Sequence, residues 1–173
     1  MRFTWKFCPF FIVVVLVLVP GRQAAAQQAL LAPEAVVRAH FDLLNRHDLN
    51  GLARQYAADA AVRSPSWEGV HTGGAAVQAA YGRYFATSPD LRYTVTNVVV
   101  APQAVTVEYR STGTMTKPEN GEPDYMTGKT YTLQNCAVFT VKNGKITTES
   151  TYFDQVAFLR QVGFFEQHPA DKK

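Results

Sequence analysis

From residue 129 to residue 141 the side chains alternate. Tyr131, Leu133, Asn135, Ala137, Phe139 and Val141 fall on one face, and Thr130, Thr132, Gln134, Cys136 and Thr140 mostly on the other. A period of two over that length defines a strand with one face turned to a core. Asn143-Gly144 follows, the dipeptide best suited to a two-residue type I′ turn because both central positions need positive φ. Residues 145–153 then run back beside their partner. Asp154 can cap a closing helix whose apolar residues Val156, Leu159 and Val162 precede Gly163, a fitting residue just past a helix end. A long antiparallel hairpin closed by a helix therefore constrains everything that packs around it.

The segments before the hairpin begin as helices. Val37, Phe41 and Leu44 recur at i, i+4 and i+7 from a start at Pro33, which predicts an amphipathic helix ending near Asn45. Asp48 can cap a second short helix through Leu49, Leu52, Ala53 and Tyr56. Residues 61–63 form a short extended piece that Ser64-Pro65 ends, because proline cannot donate to a ladder. Residues 67–71 read as another brief extended piece. Thr72-Gly73-Gly74 breaks it, and Val77, Ala80, Tyr81 and Tyr84 make the stripe of a third helix.

After Ser88-Pro89 the period changes to alternation. Leu91, Tyr93, Val95, Asn97 and Val99 share one predicted face, and Val105, Val107 and Tyr109 alternate with Thr106, Glu108 and Arg110 in the next strand. Residues 115–127 form a polar tip with Pro118, Asn120-Gly121 and Pro123, the segment expected to be mobile. Three helices, a run of long strands and a final helix give an α+β fold with helices on one sheet face. A sheet of such long strands twists and curls, so helices on its concave side enclose a one-ended pocket.

The first 26 residues read as an export signal. Arg2 and Lys6 precede an almost entirely apolar run at 7–19, and Ala24-Ala25-Ala26 offers the small residues of a processing site before Gln27. The apolar run is shorter than the ~20 residues a spanning helix needs. Cleavage would leave 147 residues, one domain, in the periplasm or outside the cell. Loss of Arg2, Lys6 and Arg22 lowers the 17 basic residues to 14, equal to the 14 acidic ones. The basic balance thus belongs to the signal, and neither nucleic acid nor, after cleavage, a membrane is an expected partner. Cys8 leaves with the signal, so Cys136 has no intramolecular disulfide partner; mid-strand, it reads as a small buried hydrophobe.

The order of elements resembles the SnoaL-like branch of the NTF2-like (nuclear transport factor 2-like) superfamily. The likeness is carried by residues 41–49, Phe-Asp-Leu-Leu-Asn-Arg-His-Asp-Leu, by Asn143-Gly144-Lys145-Ile146, and by Tyr152-Phe153-Asp154 leading into Leu159-Arg160-Gln161-Val162-Gly163. It spans residues 33–165. The resemblance implies an NTF2-like cone: a curved antiparallel sheet with helices packed on its concave face, a deep apolar pocket and a homodimer. Polyketide cyclases, ketosteroid isomerases, dehydratases and non-catalytic binding domains share this fold. Ketosteroid isomerases place a general-base Asp where Ser64 stands ahead of Pro65, a protonated Asp near Ala137 and a partner Tyr near His40. Neither carboxyl that such a proton shuttle needs is present. SnoaL-type cyclases carry a Trp-Asp pair on the last strand where this chain has Ser150-Thr151, which leaves Glu149 or Asp154 as nearby carboxyls.

Asp154 and His71 are accordingly the candidate acid/base groups, with helix capping and a solvated or structural imidazole as their plainer roles. Asn135 and Tyr152 are candidate polar orienters. Trp67 and Tyr56 are candidate walls, and His40 could reach the cavity from the first helix. Tyr81, Tyr84 and Tyr131 extend the aromatic lining or simply fill a core. No metal or cofactor is expected: His40, His47, His71 and His168 lack ligand spacing, and no Cys-x-x-Cys or glycine-rich phosphate loop occurs. The expected function is binding of a small hydrophobic or aromatic molecule, with cyclase- or isomerase-type proton transfer. The alternative is a dimeric interaction module with a filled interior. An empty pocket near the ~300 Å³ lower bound for ligand sites separates the two.

Overall fold

A computed structural model of the chain describes residues 32–102, 104–117 and 124–167. The proposed signal segment and the centre of the polar tip lie outside the described residues. Helices α1 (Pro33–Asn45) and α2 (Leu49–Gln55) lead into strand β1 (Tyr56–Arg63), the two-residue β2 (His71–Thr72) and helix α3 (Gly73–Thr87). Strands β3 (Arg92–Val100), β4 (Ala104–Thr114), β5 (Thr130–Lys142) and β6 (Lys145–Phe153) follow, with a 3-10 turn at Asp124–Met126. Short helices α4 (Gln155–Gln161) and α5 (Phe164–Gln167) close the described chain.

The six strands form one curved, unclosed sheet in the order β2-β1-β6-β5-β4-β3. All neighbours are antiparallel except β1 with β6. Helix α1 crosses β3, β4 and β5, and α3 lies over β1 and α2.

Local chemistry sets most boundaries. Pro33 opens α1, where its missing N–H is not needed. Asp48 caps α2 by accepting from Gly51 N at 2.8 Å, and Asn143 and Gly144 both take positive φ, +51° and +72°, as a type I′ turn requires. Gly74 lets α3 approach α2: a Cβ there would collide with the Ala53 carbonyl.

Four expectations change at this level. Tyr56 is not in α2 but begins β1, because its backbone pairs in parallel with Ile146. β1 is consequently longer than residues 61–63, whereas of the piece expected at 67–71 only His71 pairs as a strand, together with Thr72 just beyond it. In β3, Thr96 is an extra residue between the pairs Val95–Tyr109 and Asn97–Glu108. This bulge turns Val98 toward the core and leaves Val99 57% exposed. Cys136 is half-buried on the outer sheet face, opposite Phe139 and Ala137, not within the core.

The second bulge matters more. Val141 pairs with Ile146 and Thr140 with Thr148, so Thr147 is inserted in β6. A regular strand would send Ile146, Thr148, Ser150 and Tyr152 to one face. With the bulge, Ile146 is followed on the inner face by Glu149, Thr151 and Phe153, and Tyr152 emerges on the outer face at 59% exposure.

Candidate functional site

Between α3, the concave sheet face and α4 lies a cavity of about 390 Å³, open to solvent on one side. Its walls are aromatic: Trp67 before β2, Tyr81 and Tyr84 on α3, Tyr93 on β3, Tyr109 on β4 and Tyr131 on β5. Leu91, Leu133, Phe153, Phe158 and Leu159 supply apolar area, and Asn135, Ser111 and Thr151 add polar points. Trp67 stacks on His71 at 4.7 Å between ring centroids and meets Tyr81 edge-on at 6.1 Å. Such edge-to-face and offset contacts hold the rings in fixed orientations.

Behind this wall sits Glu149, 2% exposed. Its Oε2 accepts a hydrogen bond from the Tyr56 hydroxyl. Its Oε1 accepts from Tyr81 Oη at 3.2 Å and from Thr151 Oγ1 at 3.2 Å. A buried carboxylate is tolerated only when donors replace its lost hydration, and three hydroxyls do so here. Tyr81, Thr151 and Tyr109 also line the cavity. Two cavity-lining hydroxyls, Tyr81 and Thr151, therefore reach the carboxylate directly.

Burial, and then the Glu149 charge, push the Tyr56 and Tyr81 hydroxyls well above the ordinary tyrosine value. Both are firm proton donors to the carboxylate at neutral pH. Burial raises Tyr109 as well, again with help from Glu149.

His40 occupies the layer beneath. Its ring lies 5.9 Å from Tyr56 and 6.2 Å from Tyr81, tilted against Phe139 at 5.4 Å. Gln55 donates through Nε2 to Val36 O at 3.2 Å, so its Oε1 faces His40 Nδ1, also at 3.2 Å. Nδ1 is then the protonated nitrogen, and the fully buried Nε2 is an acceptor with no partner. Burial lowers the His40 pKa more than Glu149 raises it, which keeps the ring neutral.

The structure disposes the candidate residues unevenly. Trp67 and Asn135 line the cavity. Asn135 Nδ2 is anchored to Ser111 Oγ and Leu133 O, each at 3.0 Å. Tyr56 and His40 are buried behind the wall and do not line it. His71 is half-buried on the far side of Trp67. Tyr152 is on the outer face, and Asp154 caps α4 through Ala157 N at 3.0 Å; neither lines the cavity. Thr147, by shifting the alternation, removes both from the inner face and brings in Glu149. Among the described residues no group of three or more His, Cys, Asp or Glu could hold a metal ion.

Sequence reasoning named Glu149 only as a possible shift from the cyclase position, and it did not pair it with Tyr56 and Tyr81. The available signal was Glu149 beside the β-branched pair Thr147-Thr148, a polar run where a core strand should alternate.

Fold and cavity together define an NTF2-like cone with a half-enclosed aromatic pocket. The chain belongs to the SnoaL-like domain family, whose match spans residues 37–149. Among solved structures it is similar to a candidate polyketide cyclase from Xanthomonas campestris pv. campestris, at 27% identity over 80% of this chain and 98% of that one, with a TM-score of 0.64. It is also similar to IdmH, a candidate polyketide cyclase from Streptomyces antibioticus, at 22% identity over 76% of this chain and 98% of that one, TM-score 0.64. A third is a Catenulispora acidiphila protein of ketosteroid isomerase-like fold, in complex with trimethylamine, at 21% identity over 76% and 94%, TM-score 0.63. The likeness to these last two concerns fold. No curated protein matches the chain.

Proposed function

We propose that this SnoaL-like domain binds a small hydrophobic or aromatic molecule in its cone and exchanges a proton with it through Tyr81, backed by Glu149. The observation that carries the reading is the buried carboxylate held by Tyr56, Tyr81 and Thr151 at the wall of a cavity of about 390 Å³. That volume exceeds the lower bound of about 300 Å³ for ligand sites, which favours a ligand over a side-chain-filled module. A tyrosine hydroxyl that faces a ligand while bonded to a carboxylate can take a proton from the ligand as it passes its own to the carboxylate, and return it by the reverse transfer. This fits cyclase-type closure, in which a carbon beside a carbonyl gives up a proton as the C–C bond forms and the carbonyl oxygen gains one. It accords with the description of the Xanthomonas relative as a candidate cyclase. Asp154 and His71 do not line the cavity.

The chain acts after export, on the strength of the basic start, apolar run and Ala24-Ala25-Ala26. It pairs with a second copy through the outer sheet face, where Tyr152 and Val99 are exposed. Mass spectrometry of the protein from its native compartment tests all three points: a first residue at Gln27, a dimer mass and a bound small molecule are expected. For the cavity itself, titration calorimetry with naphthalene derivatives should show saturable binding that Leu133→Trp abolishes without lowering the melting temperature. Failure of every such probe to bind would overturn the ligand reading.

A further inference from the structure

A second polar group lines the same cavity away from Glu149, and it consists of donors. Ser64 and Ser66 flank the proline that ends β1, and Trp67 follows them; all three line the cavity together with Arg83 and Tyr84 of α3. Trp67 is 8% exposed, yet its indole N–H is buried without a hydrogen-bond partner. A buried donor left unpaired is unfavourable, and it becomes favourable when a ligand oxygen arrives. Among the described residues, Arg83 is the only charged side chain on the cavity lining. It has interactions of its own, and what matters here is its permanent positive charge.

The Tyr84 hydroxyl reports the local field. Burial raises its pKa, and Ser66, Ser64 and the Arg83 charge offset part of that rise. Tyr84 is held there by stacking on Trp67, with centroids 6.1 Å apart and planes 18° apart. Across the cavity, by contrast, Glu149 disfavours negative charge on Tyr56, Tyr81 and Tyr109. Glu149 thus disfavours an anion at its own end of the cavity, and Arg83 brings a positive charge to the other.

We propose that Ser64, Ser66, Trp67 Nε1 and Arg83 form an anion-receiving subsite, and that the ligand of this cavity is an aromatic molecule carrying a carboxylate or an equivalent anionic oxygen. This rests on the small-molecule reading above and adds the ligand's charge and its direction in the cone. The anionic oxygen meets the indole N–H and the serine hydroxyls near Arg83. The ring system lies along the tyrosines, and the uncharged end reaches Tyr81 and Tyr109. Orientation follows from charge alone, since the reversed pose would set an anion beside Glu149.

The test compares 2-naphthoate with 2-naphthamide, which share ring and shape but differ in charge, by titration calorimetry on the full chain at neutral pH. The native protein should bind naphthoate at least tenfold more tightly. Arg83→Gln and Trp67→Phe should each lower naphthoate affinity about tenfold, the usual worth of a charge-assisted hydrogen bond, and lower naphthamide affinity by a smaller factor. Thermal melting accompanies each variant; Arg83 is exposed, so its variant reads the subsite even if Trp67→Phe fails to fold. Equal affinity for the two probes, or naphthoate binding indifferent to Arg83→Gln in a folded variant, overturns the subsite and leaves the ligand reading standing. Absence of binding by both probes overturns the two together.

Discussion

Tyr81 Oη on α3 donates to Glu149 Oε1 on β6 across 3.2 Å, joining a cavity-lining hydroxyl to a carboxylate that solvent does not reach. The Tyr56 hydroxyl completes the pair from the start of β1. Helix α3, strand β1 and the hairpin are thus tied at one buried point.

Removing that carboxylate should cost more than neutralising it. Glu149→Ala strands two tyrosine hydroxyls and is expected to destabilise the fold by about 2–5 kcal/mol. Glu149→Gln keeps the volume and an acceptor oxygen, so a loss of about 1–2 kcal/mol is expected. Urea unfolding with an unchanged m-value measures both, and equal losses would remove the hydroxyl pairing as the cause.

Stability should also fall on the alkaline side. The hydroxyls of Tyr56, Tyr81 and Tyr93 are raised well above 10.0 in the fold, mainly by burial. Their unfolded counterparts ionise near that value, so above it the unfolded chain holds fewer protons and is favoured. The contribution is fully present below pH about 10 and fades as pH rises beyond it. Tyrosinate absorbance followed with circular dichroism should show one group of tyrosines titrating only as the fold is lost.

His40 predicts an acid-side effect of opposite origin. Its folded pKa lies below the ordinary 6.5, so between the two values the unfolded chain binds the extra proton. Stability should therefore drop as pH falls through about 6.5 and level off below the folded pKa. Glu149 faces the ring and limits the size of the drop. His40→Phe, which refills the aromatic layer, should flatten this part of the stability profile measured by denaturant melts at successive pH values.

Asp154 should behave as a cap. Asp154→Asn is expected to be nearly neutral, and Asp154→Ala to cost about 1 kcal/mol. Neither should alter probe affinity in calorimetry, because the side chain is outside the cavity. A loss of binding with an unchanged melting temperature would return Asp154 to the site.

Gly74→Ala should destabilise by about 1–3 kcal/mol through overpacking against the Ala53 carbonyl. The same change at Gly82, where an added Cβ meets only Leu49 Cδ1 at 3.5 Å, should be tolerated and stabilise the helix slightly. The difference in melting temperature between the two variants isolates the close approach of α3 to α2.

Elements with a local cause were legible in advance. The inner face of β5 is the set Tyr131, Leu133, Asn135, Ala137, Phe139 and Val141 read from alternation, and Asp48, Asn143-Gly144 and Asp154 cap or turn the chain as their chemistry requires. Trp67 and Asn135 were recognisable as candidate lining residues because size and polarity stood out against their neighbours. Tyr56, given to a helix by spacing, became a strand residue because its backbone pairs with Ile146, nearly a whole domain away in sequence.

By itself the sequence determined the hairpin, its turn, the helix starts and the apolar faces, since each follows from φ preferences and side-chain period over a few residues. Only the tertiary structure decided which residues look into the cone. An inserted residue such as Thr96 or Thr147 is set by strand pairing and shifts the inward face of everything beyond it. That single shift in β6 is why Glu149, and not Tyr152 or Asp154, stands behind Tyr81.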